Sequence, residues 1–248
     1  MHIHLLQLGR IPYSEGIRVM DEVVAARKAQ RIGDTLLLME HEPVLTLGRN
    51  ATRANILASD EALAARGVAI HEINRGGDVT YHGPGQLVGY PIFDLRGDWP
   101  GKKGPGISKR HLGPVDFVRL MEEALIHTCK HFGVPAQRIP KLTGVWTLPG
   151  GSIHEKKLAA IGVHVSQAVT SHGFALNVTT DMRDFDWIVP CGITDKGVTS
   201  LELESPQEPG PTMVNAANRA AANFGRVFQR QMIAVESVGE LLAGGVWA

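Results

Sequence analysis

The chain has 248 residues, of which 44% are hydrophobic and 20% charged, a balance typical of a globular protein rather than a disordered one. Lysine and arginine together number 25, as do aspartate and glutamate, so the charge balance gives no reason to expect a nucleic-acid or membrane partner. No apolar run approaches the roughly 18 residues of a membrane helix. The two cysteines are too few for a disulfide framework, and we therefore expect a cytoplasmic protein.

Short aliphatic and β-branched runs bounded by glycine, proline or asparagine predict strands along the whole chain. In chain order they are Ile3–Leu8, Thr35–Met39, Val44–Leu47, Val68–Ile73, Gln86–Phe93, Val145–Thr147, Leu158–Val165 and Gly173–Val178. Because helices fall between groups of strands, without strict alternation, the pattern predicts an α+β fold with mixed sheets and packed helices.

Apolar residues at helical spacing predict four helices. They are Glu15–Gln30, Ser59–Arg66, Pro114–Phe132 and Thr212–Arg230. The last carries an apolar stripe that we expect to lie on a sheet. Its members are Val214, Ala217, Ala221, Phe224 and Phe228.

A long loop is predicted between the fifth strand and the third helix. Arg96–Gly113 holds five glycines and two prolines, and loops of this length are usually functional or disordered. Its basic residues suit either an ordinary solvated surface or, as a hypothesis, a docking site for an acidic partner. They are Lys102, Lys103, Lys109 and Arg110.

The two cysteines have different surroundings. Cys129 falls on the apolar stripe of the third predicted helix, where a small apolar side chain is typical of a core. Cys191 lies between Pro190 and Gly192, which favour a sharp turn that exposes the thiol. The sequence leaves two interpretations of Cys191 open, a buried turn residue and a nucleophile, and the second needs a group that lowers the thiol pKa.

Lys157 is the best placed candidate for that group. It opens an alternating strand, in phase with Ala159 and Ile161 and out of phase with Lys156, so alternation predicts that its side chain points to the apolar face. A lysine there either extends back to solvent or reaches into a pocket. An ammonium group beside Cys191 would favour its thiolate and could move protons.

A glycine-rich segment, Asn74–Leu87, suits a loop whose backbone comes close to a ligand, with a tight hairpin as the alternative. Neither phosphate-binding glycine motif occurs in it. His41-Glu42 is followed at once by Pro43, so it does not form the helical zinc motif. His71, His82 and His172 lack the spacing of a zinc set, and we expect them to form hydrogen bonds.

Motifs spread over residues 40–201 together resemble the octanoyl-[acyl carrier protein]:protein octanoyltransferases of lipoic acid biosynthesis. They are Glu40-His41-Glu42-Pro43-Val44, Gly48-Arg49, Arg75-Gly-Gly-Asp-Val-Thr-Tyr-His-Gly-Pro-Gly-Gln86, Tyr90-Pro91-Ile92, Thr143-Gly-Val-Trp146, Lys157-Leu-Ala-Ala-Ile-Gly162, His172-Gly-Phe-Ala-Leu-Asn177 and Pro190-Cys-Gly192. The resemblance implies one domain over residues 1–248, with the α+β fold of the catalytic domains of biotin and lipoate protein ligases.

The resemblance also implies a mechanism. Cys191 would carry the octanoyl group as a thioester, and Lys157 would lower its pKa and move protons. The donor would be octanoyl-acyl carrier protein, and the acceptors would be lysines on lipoyl domains of 2-oxoacid dehydrogenase complexes and on the glycine cleavage H protein. No metal or other cofactor is implied, since a thioester is already activated. The implied substrate-binding residues are Arg75, Gly76, Gly77, Asp78, Val79, Thr80, Tyr81, His82, Ala160, Ile161, Gly162, Gly173, Phe174 and Ala175.

Two features depart from the family pattern. Phe174 stands where the family often has leucine, which suggests an altered pocket volume, and the segments Arg96–Gly113 and Leu148–Glu155 are longer than usual. Two related activities stay open on this fold: an ATP-dependent lipoate or biotin ligase and an amidotransferase that moves octanoyl between lipoyl domains. Pro190-Cys191-Gly192 favours acyl transfer over the ligase, and the pairing of Cys191 with Lys157 argues against a carrier-protein binder that has lost activity.

Overall fold

The computed structural model describes residues 2–97, 99, 111–148, 155–190 and 196–244. The strands in this part of the chain are β1 (His2–Ile11), β2 (Thr35–His41), β3 (Val44–Leu47), β4 (Ala69–Glu72), β5 (Val79–His82), β6 (Gln86–Ile92), β7 (Ala136–Ile139), β8 (Leu142–Thr147), β9 (Lys157–Ser166), β10 (Val169–Asn177) and β11 (Gln231–Ala234). The α-helices are α1 (Tyr13–Lys28), α2 (Asp60–Ala65), α3 (Pro114–His131), α4 (Leu201–Glu204), α5 (Met213–Phe228) and α6 (Val238–Ala243).

Eight of the described strands form one mixed sheet in the order β11-β1-β2-β6-β10-β9-β8-β7. β1 runs parallel to both β11 and β2, and the other neighbouring strands are antiparallel. A smaller sheet has the order β4-β3-β5, with β3 parallel to β4 and antiparallel to β5. The predicted α+β class with mixed sheets and packed helices is confirmed.

Helices α3 and α5 cover one face of the large sheet. The predicted stripe of α5 is buried at Ala217, Ala221, Phe224 and Phe228, whereas Val214 in the first turn is 68% exposed. Cys129 of α3 is fully buried in the same layer, and burial raises the pKa of its thiol to about 12. Its predicted role as a core residue is confirmed.

Helices α1 and α6 pack on the opposite face of the large sheet. Val19 and Val23 of α1 contact the layer that contains Val88 and Ala175. A third apolar cluster, which includes Tyr81, lies under the small sheet. The three apolar layers hold the two sheets in place around the end of β5, where the candidate site forms.

Elements that the sequence did not predict are short. β5 lies inside the glycine-rich segment, while β7 and β11 are four-residue strands at the two edges of the large sheet. Edge strands of this length depend on pairing with a neighbour more than on their own residues. β10 begins at Val169, four residues before its predicted start, because the strand continues through His172 at φ +55°. The predicted loop residues Lys102, Lys103, Lys109 and Arg110 lie outside the described residues.

Candidate active site

The glycine-rich segment passes between the two sheets, and β5 presents alternate side chains to different surroundings. Thr80 and His82 line a cleft. Val79 and Tyr81 point to the other side, into the apolar cluster under the small sheet, where the Tyr81 hydroxyl donates to Asp184 Oδ2 at 2.6 Å. The period of two along a strand explains this division.

Arg75 is held in the wall of the cleft and is only 8% exposed. Its Nη2 donates to the carbonyl oxygen of Thr46 at 2.9 Å and to Thr46 Oγ1 at 2.8 Å. Its Nη1 donates to the carbonyl oxygen of Gly76 at 3.0 Å. These hydrogen bonds fix the guanidinium group, which places its positive charge beside the cleft.

The loop after Arg75 lies directly on strand β9. The backbone N–H of Gly76 donates to the carbonyl oxygen of Val163 at 3.1 Å. A Cβ atom on Gly162 would come within 2.6 Å of the Gly76 carbonyl oxygen, so this approach requires glycine in β9. Gly77 completes the loop at φ +93°, a backbone conformation that favours glycine.

Small side chains on three adjacent strands leave room for the cleft. Ala160 of β9 pairs with Ala175 of β10, which in turn pairs with Val88 of β6. The cleft is a partly open, mainly apolar depression over these strands. Most of the predicted substrate-binding residues line it: Arg75, Gly77, Thr80, His82, Ala160, Ile161, Gly162, Gly173, Phe174 and Ala175.

The other predicted substrate-binding residues lie behind the cleft wall. Besides Val79 and Tyr81, they are Gly76, which anchors the loop to β9, and Asp78. Asp78 Oδ1 accepts a hydrogen bond from the backbone N–H of Val79 at 2.7 Å, and its Oδ2 accepts one from Asn55 at 2.5 Å. In this structure these residues shape the loop rather than the surface of the cleft.

The ring of Phe174 does not project into the cleft, although the residue contributes to its wall. Strand alternation turns its side chain away from Gly173 and Ala175. The ring stacks on Phe224 of α5 with centroids 5.5 Å apart and fills the space that a side chain on Gly89 would need. The ring is thus accommodated in the core under α5, and the expectation that phenylalanine here alters pocket volume stays a prediction.

The cleft has further lining residues that the sequence did not assign to it: Tyr13, Ile73, Val88, Tyr90 and His172. Tyr90 and His172 belong to motifs of the resemblance, so the motifs could have suggested them. Tyr13 opens α1 and Ile73 ends the predicted fourth strand, and no local pattern distinguishes them from core residues.

Histidines around the cleft are neutral because they are buried. Burial lowers the pKa of His41 and His172 to about 4. Burial, with help from the positive charge of Arg75, lowers that of His82 to about 3. His41 Nδ1 donates to the Ile11 carbonyl oxygen at 3.3 Å, so its Nε2 accepts from the Tyr90 hydroxyl at 3.1 Å. His82 and His172 form hydrogen bonds, as the sequence predicted.

A chain of hydrogen bonds leads from His82 across the large sheet. His82 Nδ1 donates to Gln86 Oε1 at 2.7 Å, and Gln86 Nε2 donates to Asn177 Oδ1 at 2.9 Å. Asn177 Nδ2 then donates to the carbonyl oxygen of Thr199 at 2.9 Å, and the N–H of Thr199 donates to the carbonyl oxygen of Lys157 at 3.0 Å. The cleft is thus rigidly connected to the start of β9.

Lys157 lies on the opposite face from the one that alternation predicts. Trp146 of β8 pairs with Lys157, but the preceding Val145 pairs with Ala159, so β9 has one extra residue at Leu158. This β-bulge turns Lys157 away from Ala159 and the core under α3. Its Nζ lies 4.8 Å from the centroid of the Trp146 ring.

The side chain of Lys157 reaches a small cavity rather than solvent, and the residue is only 6% exposed. Asn177 and Pro190 line the same cavity, which shares Thr80, Ala160 and Ala175 with the larger cleft. Cys191 follows Pro190 directly but lies outside the described residues. Within the described ranges, no group of three or more metal-ligating side chains comes together.

Known proteins resemble this chain over most of its length. The sequence profile of the lipoyl protein ligase A/B catalytic domain matches residues 12–224. The octanoyltransferase of Acidobacterium capsulatum is 63% identical over 243 residues, which cover 98% of this chain and 96% of that protein. The octanoyltransferase of Koribacter versatilis is 49% identical over 240 residues, covering 97% and 90%.

Solved structures show the same fold at low sequence identity. A bipartite lipoate protein ligase from Thermoplasma acidophilum matches with a TM-score of 0.70 at 18% identity, covering 98% of this chain and 91% of its own. A lipoate-protein ligase A bound with ATP matches with a TM-score of 0.69 at 15% identity, covering 98% and 93%. Such identities establish the fold alone.

The profile match, the two relatives and the motifs of residues 40–201 agree with one another. In the part of the chain that the structure describes, no helix combines the length and apolar character needed to cross a membrane. The predicted enzyme class, an acyltransferase, is confirmed by relatives at up to 63% identity. The chain belongs to the lipoyl protein ligase A/B catalytic domain family, among its octanoyltransferases.

Proposed function

We propose that this enzyme transfers an octanoyl group from octanoyl-acyl carrier protein to a lysine of a lipoyl domain, with Cys191 as the transient acyl carrier. The acceptors are lipoyl domains of 2-oxoacid dehydrogenase complexes and the glycine cleavage H protein. The reaction is the first step of endogenous lipoate synthesis, and we place it in the cytoplasm. We further propose that residues 1–248 act as one domain.

The observation that carries this proposal is the position of Lys157. A nearly buried lysine lines a small cavity together with Pro190, the residue before Cys191. That cavity adjoins an apolar cleft through Thr80, Ala160 and Ala175. A thiol that enters the cavity would meet the ammonium group at one end of a space suited to an acyl chain.

The first half of the reaction forms the acyl-enzyme. The ammonium group of Lys157 favours the thiolate of Cys191, which attacks the thioester carbonyl carbon of the donor. The bond from that carbon to the carrier-protein sulfur breaks, and Lys157 supplies the proton that the leaving thiolate takes up. One thioester replaces another, so no metal, ATP or redox partner is needed.

The second half releases the acyl group to the acceptor. Lys157, now neutral, accepts a proton from the incoming lysine amine as this amine attacks the thioester carbon. The carbon–sulfur bond to Cys191 breaks, an amide forms, and the thiolate returns beside the ammonium group. The enzyme ends as it began, and the product is an octanoylated lysine.

The cleft residues would hold the acyl chain in this scheme. Ala160 and Ala175 offer small apolar surfaces beside the reactive end, and Thr80 and His82 face them from β5. The residues behind the wall, such as Gly76 and Asp78, would keep the loop in position. Arg75 would place a fixed positive charge in the cleft wall beside Gly162, away from the Lys157 cavity.

Intact-mass spectrometry after incubation with octanoyl-acyl carrier protein tests the proposal. The wild-type protein and a Cys129→Ala variant should each gain one octanoyl mass, because Cys129 is buried in the core with a pKa raised to about 12. The Cys191→Ala variant should gain none. The same adduct on Cys191→Ala would refute the role of this cysteine.

The two related activities differ in the substrate that they consume. A ligase would activate free octanoate with ATP, and its activity would survive Cys191→Ser. An amidotransferase would take octanoyl from an octanoylated lipoyl domain in preference to the carrier protein. Comparing free octanoate with ATP, octanoyl-carrier protein and octanoyl-lipoyl domain as donors separates the three reactions.

A further inference from the structure

His172 has an unusual backbone at one end of the cleft. Its φ is +55°, a region that a residue other than glycine adopts at a cost. Its ring Nε2 donates to Asn74 Oδ1 at 2.8 Å, and its backbone N–H lies 3.2 Å from Met20 Sδ. The residue is 4% exposed, and these two contacts hold the strained conformation in place.

The ring separates the cleft from a second space. An open groove lies outside the cleft, and its lining combines the apolar side chains of Ile17 and Met20 with the polar ones of Asp21, Glu72 and Asn74. His172 and Ile73 line both the cleft and this groove. The two residues therefore form the partition between them, at the end of the cleft away from Lys157.

The distance to this partition matches an eight-carbon chain. Ala175 lines the small cavity of Lys157 as well as the cleft, and it is three residues from His172 along β10, about 10 Å. An extended alkyl chain advances about 3.8 Å for every three bonds, so the seven carbon–carbon bonds of an octanoyl group span about 9 Å. Two or four further methylene groups would bring the chain end to the histidine ring.

We propose that His172, positioned by Asn74, is the end stop of the acyl cleft and determines the preferred chain length. This inference rests on the proposed function, since it assumes that the acyl chain extends from the Lys157 cavity toward His172. Chains longer than octanoyl meet a ring that cannot turn aside without losing its hydrogen bond. If the ring is removed, the chain end enters the groove beside Ile17 and Met20, which offer apolar surface.

His172→Gly is the most informative variant, because glycine adopts a positive φ without strain. We expect the ratio of kcat/KM for decanoyl- over octanoyl-carrier protein to rise by about tenfold or more, the effect of accommodating added methylene groups in an apolar site. Asn74→Ala keeps the ring but removes its hydrogen bond, and it should raise the ratio in the same direction by less. His164→Ala, on β9 outside both spaces, is the matched control and should keep the wild-type ratio.

The outcomes separate this inference from the proposed function. If the wild type transfers octanoyl but His172→Gly and Asn74→Ala both keep its chain-length ratio, the end stop is wrong and the transfer reaction stands. If the wild type transfers no acyl chain, the proposed function fails. Calorimetric titration with octanoate and decanoate then still tests the end stop, which requires His172→Gly to gain affinity for decanoate relative to octanoate.

Discussion

Replacing Lys157 with methionine separates its catalytic role from its contribution to stability. The Nζ atom lies 4.8 Å from the centroid of the Trp146 ring, and losing this contact costs about 0.5–2 kcal/mol. A methionine thioether on the same ring restores about 0.3–1.5 kcal/mol and removes a charge from a site that is only 6% exposed. We therefore expect the free energy of unfolding to stay within about 2 kcal/mol of wild type.

Acylation should respond very differently to the same substitution. General acid–base catalysis contributes about 100-fold to 10,000-fold to a rate, so we expect single-turnover acylation of Lys157→Met to slow by that factor. Urea unfolding followed by circular dichroism measures stability, and mass spectrometry at timed intervals measures acylation. Lys157→Arg is the control, because arginine keeps the positive charge but does not give up its proton. Wild-type acylation in a folded Lys157→Met protein would refute the assigned role.

Three further predictions concern the cleft and its surroundings. Gly162→Ala should cost about 1–3 kcal/mol of stability and raise KM for the acyl donor, because its Cβ would come within 2.6 Å of the Gly76 carbonyl oxygen. The control is Gly113→Ala, whose Cβ would meet no atom within 4 Å. Equal urea midpoints for the two variants would contradict the close approach of Gly162 to Gly76. Phe174→Leu should lower the free energy of unfolding by about 1–2 kcal/mol through lost ring stacking and packing. It should keep the wild-type ratio of kcat/KM for decanoyl- over octanoyl-carrier protein. A shifted ratio would mean that the ring lies in the cleft. Burial lowers the pKa of His82 to about 3 in the folded state, below its ordinary value near 6.5, so the unfolded chain takes up the proton first. His82 should therefore contribute a fall in stability of about 1.4 kcal/mol per pH unit as pH drops from about 6.5 toward 3, in addition to falls of the same sign from His41 and His172. Urea midpoints at pH 7 and pH 5 check this, and His82→Gln should show a smaller slope than wild type; an equal slope would mean that His82 is not buried as a neutral ring.

The sequence predicted the strands and helices that have a strong period of their own. Val44–Leu47 was predicted with the bounds that the structure has, and the predicted ends of α3 and α5 differ from the observed ends by at most two residues. Strand β5 was missed because glycines surround it on both sides, and it exists through pairing with β3. The edge strand β11 likewise depends on β1, which lies at the other end of the chain, whereas β7 was missed although its partner β8 follows it directly as a hairpin.

Lys157 was predicted as a site residue, but the predicted direction of its side chain was wrong. Alternation predicted that its side chain lies on the same face of β9 as Ala159, but the bulge at Leu158 places it on the opposite face. A bulge depends on how β9 pairs with β8, and the sequence of one strand does not determine that pairing. Its burial follows from this reversal, since the cavity with Pro190 lies on the face opposite the core under α3.

The cleft itself was predictable only where motifs named its residues. Tyr13 and Ile73 reach it from α1 and from the end of the small sheet, and neither has a local pattern that marks a binding residue. Their positions depend on how the two sheets and α1 pack together. Phe174 is the opposite case. Its place in a motif predicted a side chain in the pocket, but strand alternation and the space above Gly89 direct its ring into the core.

The central claim, that Cys191 carries the acyl group between two partners, is tested most directly by a chase experiment. The enzyme is octanoylated, separated from the carrier protein and mixed with a lipoyl domain, and the masses of both proteins are followed over time. We predict that the octanoyl mass leaves the enzyme and appears on the lipoyl domain at least as fast as overall turnover. An adduct that stays on the enzyme while lipoyl domains are octanoylated only in the presence of carrier protein would contradict the claim.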